Sequence, residues 1–356
     1  MGRWAEANAC TAKVVARSAM AGMDHAAMKP KVIITDFIQE PLTYERENLG
    51  DVADVIALNA QREPELIGQI EEADVVVLYH LLSIGRETIQ RLRKCRFIVR
   101  GGVGFDNVDR VAARERGIDV ANVPDYGTED VADTAIAMMM TLTRGVHVLN
   151  SRLRRAEGPW HFSQVAPIWR LRDRTFGIIG IGRIGTAAAL RAKALGMNVI
   201  FHDPHVPQGI DKALGIRSVE TLEELMTQSH VVSVHCPLND ETRTLINAKT
   251  LALMKPGSFL INTARGGIVD PHAVLDAITS GHLAGAGLDV LPLEPPDEND
   301  RLMVAWRDPE HPAHDRLIIN PHAAFYTEEG LADMRIKSSR NVRRVLLGEK
   351  PWNVVN

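Results

Sequence analysis

An α/β fold with two doubly wound parallel sheets is predicted by three observations. Strand-like runs alternate with amphipathic stretches from Lys31 onward, a glycine-rich strand–turn–helix unit occupies 175–203, and 356 residues suffice for two separate cores. The alternation opens with Val32-Ile33-Ile34-Thr35-Asp36 and continues through runs at 55–58, 73–79, 97–100 and 118–120. Ahead of it, the first 27 residues repeat Ala and Met without hydrophobic alternation and without the apolar run of a secretory signal. Residues 1–29 are therefore expected to form a disordered leader.

The unit at 175–203 is the sharpest signal. A β-branched run from Thr175 to Ile179 precedes Gly180, Gly182 and Gly185. Gly180 permits a tight turn, Gly182 lets backbone amides approach a pyrophosphate, and Gly185 lets the helix at 183–195 pack closely on the sheet. That helix turns its positive end toward the phosphates. A second strand at 198–202 delivers Asp203, where a carboxylate can accept hydrogen bonds from an adenosine ribose. Three glycines alone mark only a turn; strand, helix and acid together mark a dinucleotide site.

Downstream the alternation predicts helices at 221–226, 248–254 and 271–278, the last with Asp270 as N-cap and Pro271 in its first position. Strands are predicted at 231–235, 258–262, 284–289 and 317–319. A final helix at 328–347 is expected to return to the first domain. Between the two sheets, Val131, Ala135, Met138, Met139 and Leu142 recur at helical spacing, which predicts one connecting helix over 128–149. The Pro- and Asp-rich stretch at 295–316, with Trp306, reads as a loop too polar for a core element.

Composition excludes several classes of function. With 45% hydrophobic and 24% charged residues and a net charge of −4, there is no electrostatic case for nucleic acid or a membrane surface. The apolar runs are strand-sized, short of the ~20 residues that span a bilayer. Cys10, Cys95 and Cys236 lack metal-ligand spacing, so reduced thiols and a cytoplasmic location are expected, with no metal.

Ligands collect at the carboxyl ends of strands in an open parallel sheet. Arg265, Asp289, Glu294 and His322 all fall just past such ends. Arg265 can hold a carboxylate in a bidentate fork and polarise the adjacent carbonyl. His322 can pass a proton, and Glu294 can orient the imidazole and favour its charged form. Each also has a structural reading: a sheet-edge salt bridge for Arg265, a turn cap for Asp289, a solvated loop acid for Glu294, a core residue for His322. Spacing alone does not choose between them.

Asn262-Thr263-Ala264-Arg265-Gly266-Gly267, Leu288-Asp289-Val290 with Glu294-Pro295, and Pro321-His322-Ala323-Ala324 together resemble the signature of the D-isomer-specific 2-hydroxyacid dehydrogenases. The resemblance runs from about Lys31 to Asn356. It implies a Rossmann NAD-binding domain, 128–325, inserted in a flavodoxin-like substrate domain, 30–127 and 326–356. It implies Arg265, Glu294 and His322 as the catalytic set. The NAD site is then Gly180, Gly182, Arg183, Ile184, Gly185, Asp203, His235, Cys236, Pro237, Thr242, Thr263, Ala264 and Asp289.

The same resemblance implies that the amides of Gly102, Val103 and Gly104 meet the substrate carboxylate, as bare backbone donors can. Tyr79, His80 and Phe325 would then face the substrate's side chain. It also implies a homodimer joined through the nucleotide domains, with the 128–149 helix as its apolar surface. Within the family, Ile98-Val99-Arg100 and Gly104-Phe105-Asp106-Asn107 are most similar to the C-terminal-binding protein branch. Phe325 stands where that branch's corepressors usually have Trp, and Pro292 replaces an acid often seen in the loop before Glu294. Two functions follow as expectations: an NAD-dependent oxidoreductase of a small 2-keto or D-2-hydroxy acid, and an NAD-sensing corepressor-like protein that binds peptides.

Overall fold

Strands buried on both faces build two all-parallel sheets in a computed structural model that describes residues 28–356; residues 1–27 of the expected leader lie outside them. The first sheet takes β1 (Lys31–Ile34), β2 (Asp54–Ala57), β3 (Val75–Leu78), β4 (Phe97–Arg100) and β5 (Asp119–Asn122) in the order β2-β1-β3-β4-β5. Every residue of β3 and β4 is buried, as helices on both faces require, whereas the edge strand β2 is not.

The second sheet takes seven strands. They are β6 (Thr175–Ile179), β7 (Asn198–His202), β8 (Arg217–Ser218), β9 (Val231–Val234), β10 (Ser258–Asn262), β11 (Leu283–Leu288) and β12 (Leu317–Ile319). Their order is β12-β11-β10-β9-β6-β7-β8. Strand order reverses at β1/β3 in one sheet and at β6/β9 in the other, and each reversal opens a crevice beyond the strands' carboxyl ends. Two doubly wound sheets are thus present, as the alternation predicts.

Two predicted elements are corrected. The helix expected over 128–149 stops at Arg144, because Gly145 takes a left-handed conformation (φ 63°) and starts a second helix, Val146–Arg154. Apolar spacing runs through Gly145, but a Cβ there would lie 2.7 Å from Val165 Cγ1, so the chain turns where only glycine fits. Nor is the Thr128–Arg144 helix a free apolar surface. Val131, Ala132, Ala135, Met138, Met139 and Leu142 are buried, packed on the Arg183–Ala194 helix and on β10 and β11.

The supposed loop at 295–316 contains a helix, Arg301–Arg307. Asp300 caps it by accepting from Leu302 N at 2.8 Å, and Leu302 and Ala305 enter the core that holds Leu288 of β11 and Leu317 of β12. The Trp306 indole donates to Leu317 O at 3.1 Å. Polar flanks had masked a two-turn amphipathic segment.

The final helix, Glu328–Leu346, returns to the first sheet and packs on the Thr43–Leu49 helix. There Arg335 Nε and Nη2 reach the two Glu45 carboxylate oxygens at 2.8 and 2.6 Å. The Glu45 side chain is 3% exposed and that of Arg335 13%. Beyond the helix, Val354 pairs with Ala121 and Val355 N donates to Val120 O at 2.8 Å, which closes the edge of β5. Breaking a buried ion pair by removing one partner strands the other charge, at a cost of about 3–5 kcal/mol. Glu45→Ala is expected to lose that much in urea unfolding, and Glu45→Leu with Arg335→Met to recover most of it. A loss below ~1 kcal/mol for the single variant would show that Arg335 finds water instead.

Candidate active site

The cofactor groove follows from the three glycines. Gly180 has φ 90°, and a Cβ on it would press to 2.7 Å of Cys236 N. A Cβ on Gly185 would meet Gly180 O at 2.1 Å, so the helix can approach the strand only without one. Around Gly182 nothing lies within 4 Å of that position, and Gly182 N-caps the Arg183–Ala194 helix with no side-chain cap. The first helical N–H groups therefore face open space, as a pyrophosphate requires. Asp203 Oδ2 accepts from Ile181 N and Oδ1 from His205 N, both at 2.9 Å, which fixes the carboxylate beside the glycine turn. These residues fit a dinucleotide.

A cavity of about 420 Å³ continues from the groove to Arg265 and His322, lined by Gly182, Arg183, Ile184, His235, Cys236, Pro237, Thr263, Ala264 and Asp289 among others. Thr242 serves the loop instead: its hydroxyl donates to Pro237 O at 2.6 Å. An adjoining space of about 210 Å³ holds Glu294, and Arg265 and His322 line both.

His322 and Glu294 meet directly, Nδ1 to Oε2 at 2.7 Å, while Glu294 Oε1 accepts from Leu291 N at 2.7 Å. His322 adopts a left-handed backbone (φ 53°), an uncommon state for a non-glycine residue. Asp289 holds it there: its backbone O accepts from His322 N at 2.8 Å and Oδ1 from Ala323 N and Ala324 N at 3.0 and 3.1 Å. Burial raises the Asp289 carboxyl above the ordinary range, against the lowering effect of those amides. Asp289 thus positions the His322 loop as well as lining the groove.

Arg265 extends from the end of β10 toward the glycine loop after β4. Its Nε donates to Asp106 Oδ1 at 3.0 Å and its Nη1 to Ala264 O at 2.7 Å, which leaves Nη2 toward the cleft. A Cβ on Gly104 would sit 1.5 Å from Nη2, and one on Gly102 1.6 Å from Arg100 Nη1. The glycines are there because two guanidinium groups pass over them. Among the described residues the amides of Val103 and Gly104 donate to nothing, but Gly102 N donates to Arg100 O at 2.9 Å. The amides of this loop left open to a ligand are therefore those of Val103 and Gly104, not that of Gly102.

Tyr79 is placed differently from the expectation. It follows β3 into the core, 1% exposed, with its ring beneath Gly101, and strand alternation turns His80 to the cleft instead. His80 lies between Phe37 and Phe325, ring centroids 4.5 and 5.4 Å away, and 5.5 Å from His322. Burial, with the charges of Arg100, His322 and Arg265, pushes His80 down to about 3, so it is neutral at pH 7.

Three residues that line the cleft escaped the sequence reading as site residues: Arg100, Asp106 and Tyr126, the last with its ring 6.2 Å from that of Phe325. Arg100 is 6% exposed with no carboxylate partner among the described residues, and donates only to Gly101 O and Asn107 Oδ1. Burial and Arg265 bring it down to about 10, still charged at neutral pH, so it adds positive potential for an anion. Burial works against ionisation of Asp106, but the Arg265 charge and hydrogen bond prevail and hold it below the usual range. Nothing in the sequence marks which loop acid will face Arg265, since the two are 159 residues apart.

The sequence model described as D-isomer specific 2-hydroxyacid dehydrogenase, NAD binding domain, matches residues 136–324. The chain belongs to the D-isomer-specific 2-hydroxyacid dehydrogenase family. It is 34% identical over 326 residues to D-3-phosphoglycerate dehydrogenase of Methanocaldococcus jannaschii, covering 92% of this chain and 59% of that protein. It is 33% identical over 336 residues to C-terminal-binding protein 1 of Caenorhabditis elegans, covering 93% and 45%. The chain thus spans only about half the length of these two relatives. Among solved structures of the family, D-lactate dehydrogenase from Aquifex aeolicus, complexed with NAD and lactic acid, superposes with a TM-score of 0.80 at 28% identity, covering 89% of this chain and 96% of that one.

Proposed function

We propose that this family member is an NAD-dependent oxidoreductase that interconverts a small 2-keto acid and its D-2-hydroxy acid, of the hydroxypyruvate, glyoxylate or D-glycerate type. The observation that carries this reading is the His322–Glu294 pair held at 2.7 Å in one cleft with Arg265 and the free amides of Val103 and Gly104. NADH, when bound along the Gly182 groove, supplies the hydride. The Val103 and Gly104 amides and Arg265 hold the carboxylate, Arg265 polarises the keto oxygen, and His322 Nε2 gives that oxygen a proton. Glu294 keeps the opposite nitrogen oriented.

The test is a panel of 2-keto acids with NADH and NADPH, followed at the nicotinamide absorbance band. Turnover of at least one acid is expected. Asp203 should repel a 2′-phosphate, so NADH should be preferred, and Asp203→Ala should narrow the preference. Equal kcat/KM for the two cofactors would remove Asp203 from the ribose site. The likeness to C-terminal-binding protein 1 keeps a second reading, an NAD-sensing peptide-binding protein. NADH binding without turnover of any acid would favour it.

We assign 128–325 to the NAD-binding domain and 30–127 with 326–356 to the substrate domain. A homodimer in the cytoplasm is the assembly proposed. Its apolar contact is the segment after Gly145, where Trp160 and Phe162 are 88% and 72% exposed. Light scattering at micromolar concentration should give a dimeric mass, and Trp160→Ala with Phe162→Ala a monomeric one. A wild-type monomer would remove the proposal.

A further inference from the structure

A cavity of about 540 Å³ lies away from the catalytic cleft. It lies at the opposite edge of the second sheet, where β9, β10 and β11 begin, under the segment that follows Gly145. Leu142, Val165, Ile168, Trp169, Val231 and Phe259 give it apolar walls. Its size is that of a small-molecule site.

One end carries an arrangement that lacks an acceptor. Thr175 N donates to His230 Nδ1 at 3.0 Å, so that nitrogen is the acceptor and the ring proton resides on Nε2. His230 Nε2 in turn lies 3.1 Å from Arg174 Nη1, and a guanidinium nitrogen can only donate. Two N–H donors therefore face each other. Arg174 has no carboxylate partner among the described residues, and its guanidinium lies 5.0 Å over the Trp169 ring. Further along the wall, His147 Nδ1 is buried without a hydrogen-bond partner. Burial, then the charges of Lys255 and Arg174, pushes His230 down to about 4, so the ring is neutral at pH 7 and offers a single acceptor nitrogen to the two N–H donors that face it. An oxygen anion placed beside Arg174 Nη1 and His230 Nε2 relieves the conflict, and it compensates Arg174 at the same time.

We propose that this cavity is a second ligand site, separate from the cleft, which takes a monocarboxylate with an apolar or aromatic body. The carboxylate bridges Arg174 Nη1 and His230 Nε2, and the body packs against Trp169, Val165 and Phe259. His230 immediately precedes β9, whose other end leads to His235 and the cofactor loop. Occupancy at one end of this strand is thereby in reach of the other, some 13 Å away.

Phenylacetate is the probe, with inorganic phosphate as the anion that lacks an apolar body. Titrated into the full chain, phenylacetate should raise Tm saturably and move the ring signals of His230 in a histidine-labelled sample, and phosphate should do so far more weakly. Arg174→Gln should weaken phenylacetate binding about tenfold or more. Arg265→Lys, which alters the cleft, should leave it unchanged. His230→Asp places a carboxylate beside Arg174; it should raise Tm without ligand and abolish the further rise.

Retention of the phenylacetate effect in Arg174→Gln would overturn the proposal, as would its loss in Arg265→Lys alone, which would put the ligand in the cleft. Binding that emerges only after Trp160→Ala and Phe162→Ala would also overturn it, by showing that a second copy of the chain fills the cavity.

Discussion

His322→Ala is expected to lower kcat for 2-keto-acid reduction by about 10²–10⁴-fold while NADH still binds, because the cleft then holds no other imidazole able to carry a proton. His80, 5.5 Å away, is held neutral by burial and by the surrounding positive charges, and cannot substitute. Glu294→Gln separates charge from shape. It removes a negative charge 2.7 Å from Nδ1, so the imidazole gives up its proton at lower pH. Reduction needs the protonated ring, and its upper pH limit should move downward. Oxidation needs the neutral ring, and should stay active to lower pH. Profiles of kcat/KM in both directions read this shift. Unmoved profiles in Glu294→Gln beside a dead His322→Ala would make Glu294 a loop residue and refute the pair as drawn.

Arg265→Lys is expected to cost about 10²-fold in kcat/KM, since an ammonium cannot reproduce contacts made by a planar fork. Nε and Nη1 are already committed to Asp106 and Ala264 O, so Nη2 points at the substrate only while those two bonds hold. Gly104→Ala should produce a comparable loss from the other side, because its Cβ would occupy the space of Nη2, 1.5 Å away. Asp106→Asn keeps the size but removes the compensating charge, and should raise KM more than it lowers kcat. Near-wild-type kcat/KM in both Arg265→Lys and Gly104→Ala would show that the amides of Val103 and Gly104 suffice to bind the carboxylate.

The parts of this molecule legible in its sequence are those set by local chemistry. The turn at Gly180, with φ 90°, and the close approach of Gly185 to Gly180 O are set within one strand–helix unit, as their spacing implies. The strands Phe97–Arg100, Thr175–Ile179, Asn198–His202, Ser258–Asn262 and Leu317–Ile319 begin and end where their apolar runs do. Legibility fails where distant segments decide. The break at Gly145 depends on Val165, and the Arg301–Arg307 helix on a core assembled from β11 and β12. Tyr79 and His80 are neighbours in sequence, and which one enters the cleft is fixed by the pleat of β3. The Asp106–Arg265 pair and the conflict between Arg174 and His230 exist only once two loops are brought together.

The Arg335–Glu45 pair and the Val354–Ala121 pairing also bear on how the chain acquires its structure during synthesis. The ribosome delivers β1 to β5 first, yet the helix that covers them and the segment that closes their edge come last. The second sheet is continuous in sequence and can finish while the first still waits for its cover. Glu45 and its partner Arg335 are 290 residues apart, and until that length is made Glu45 and the apolar face of the Thr43–Leu49 helix are open to chaperones or to wrong pairings. The first sheet, synthesised before the second, is thus the later of the two to mature, and a premature stop within 328–346 would leave it without its cover.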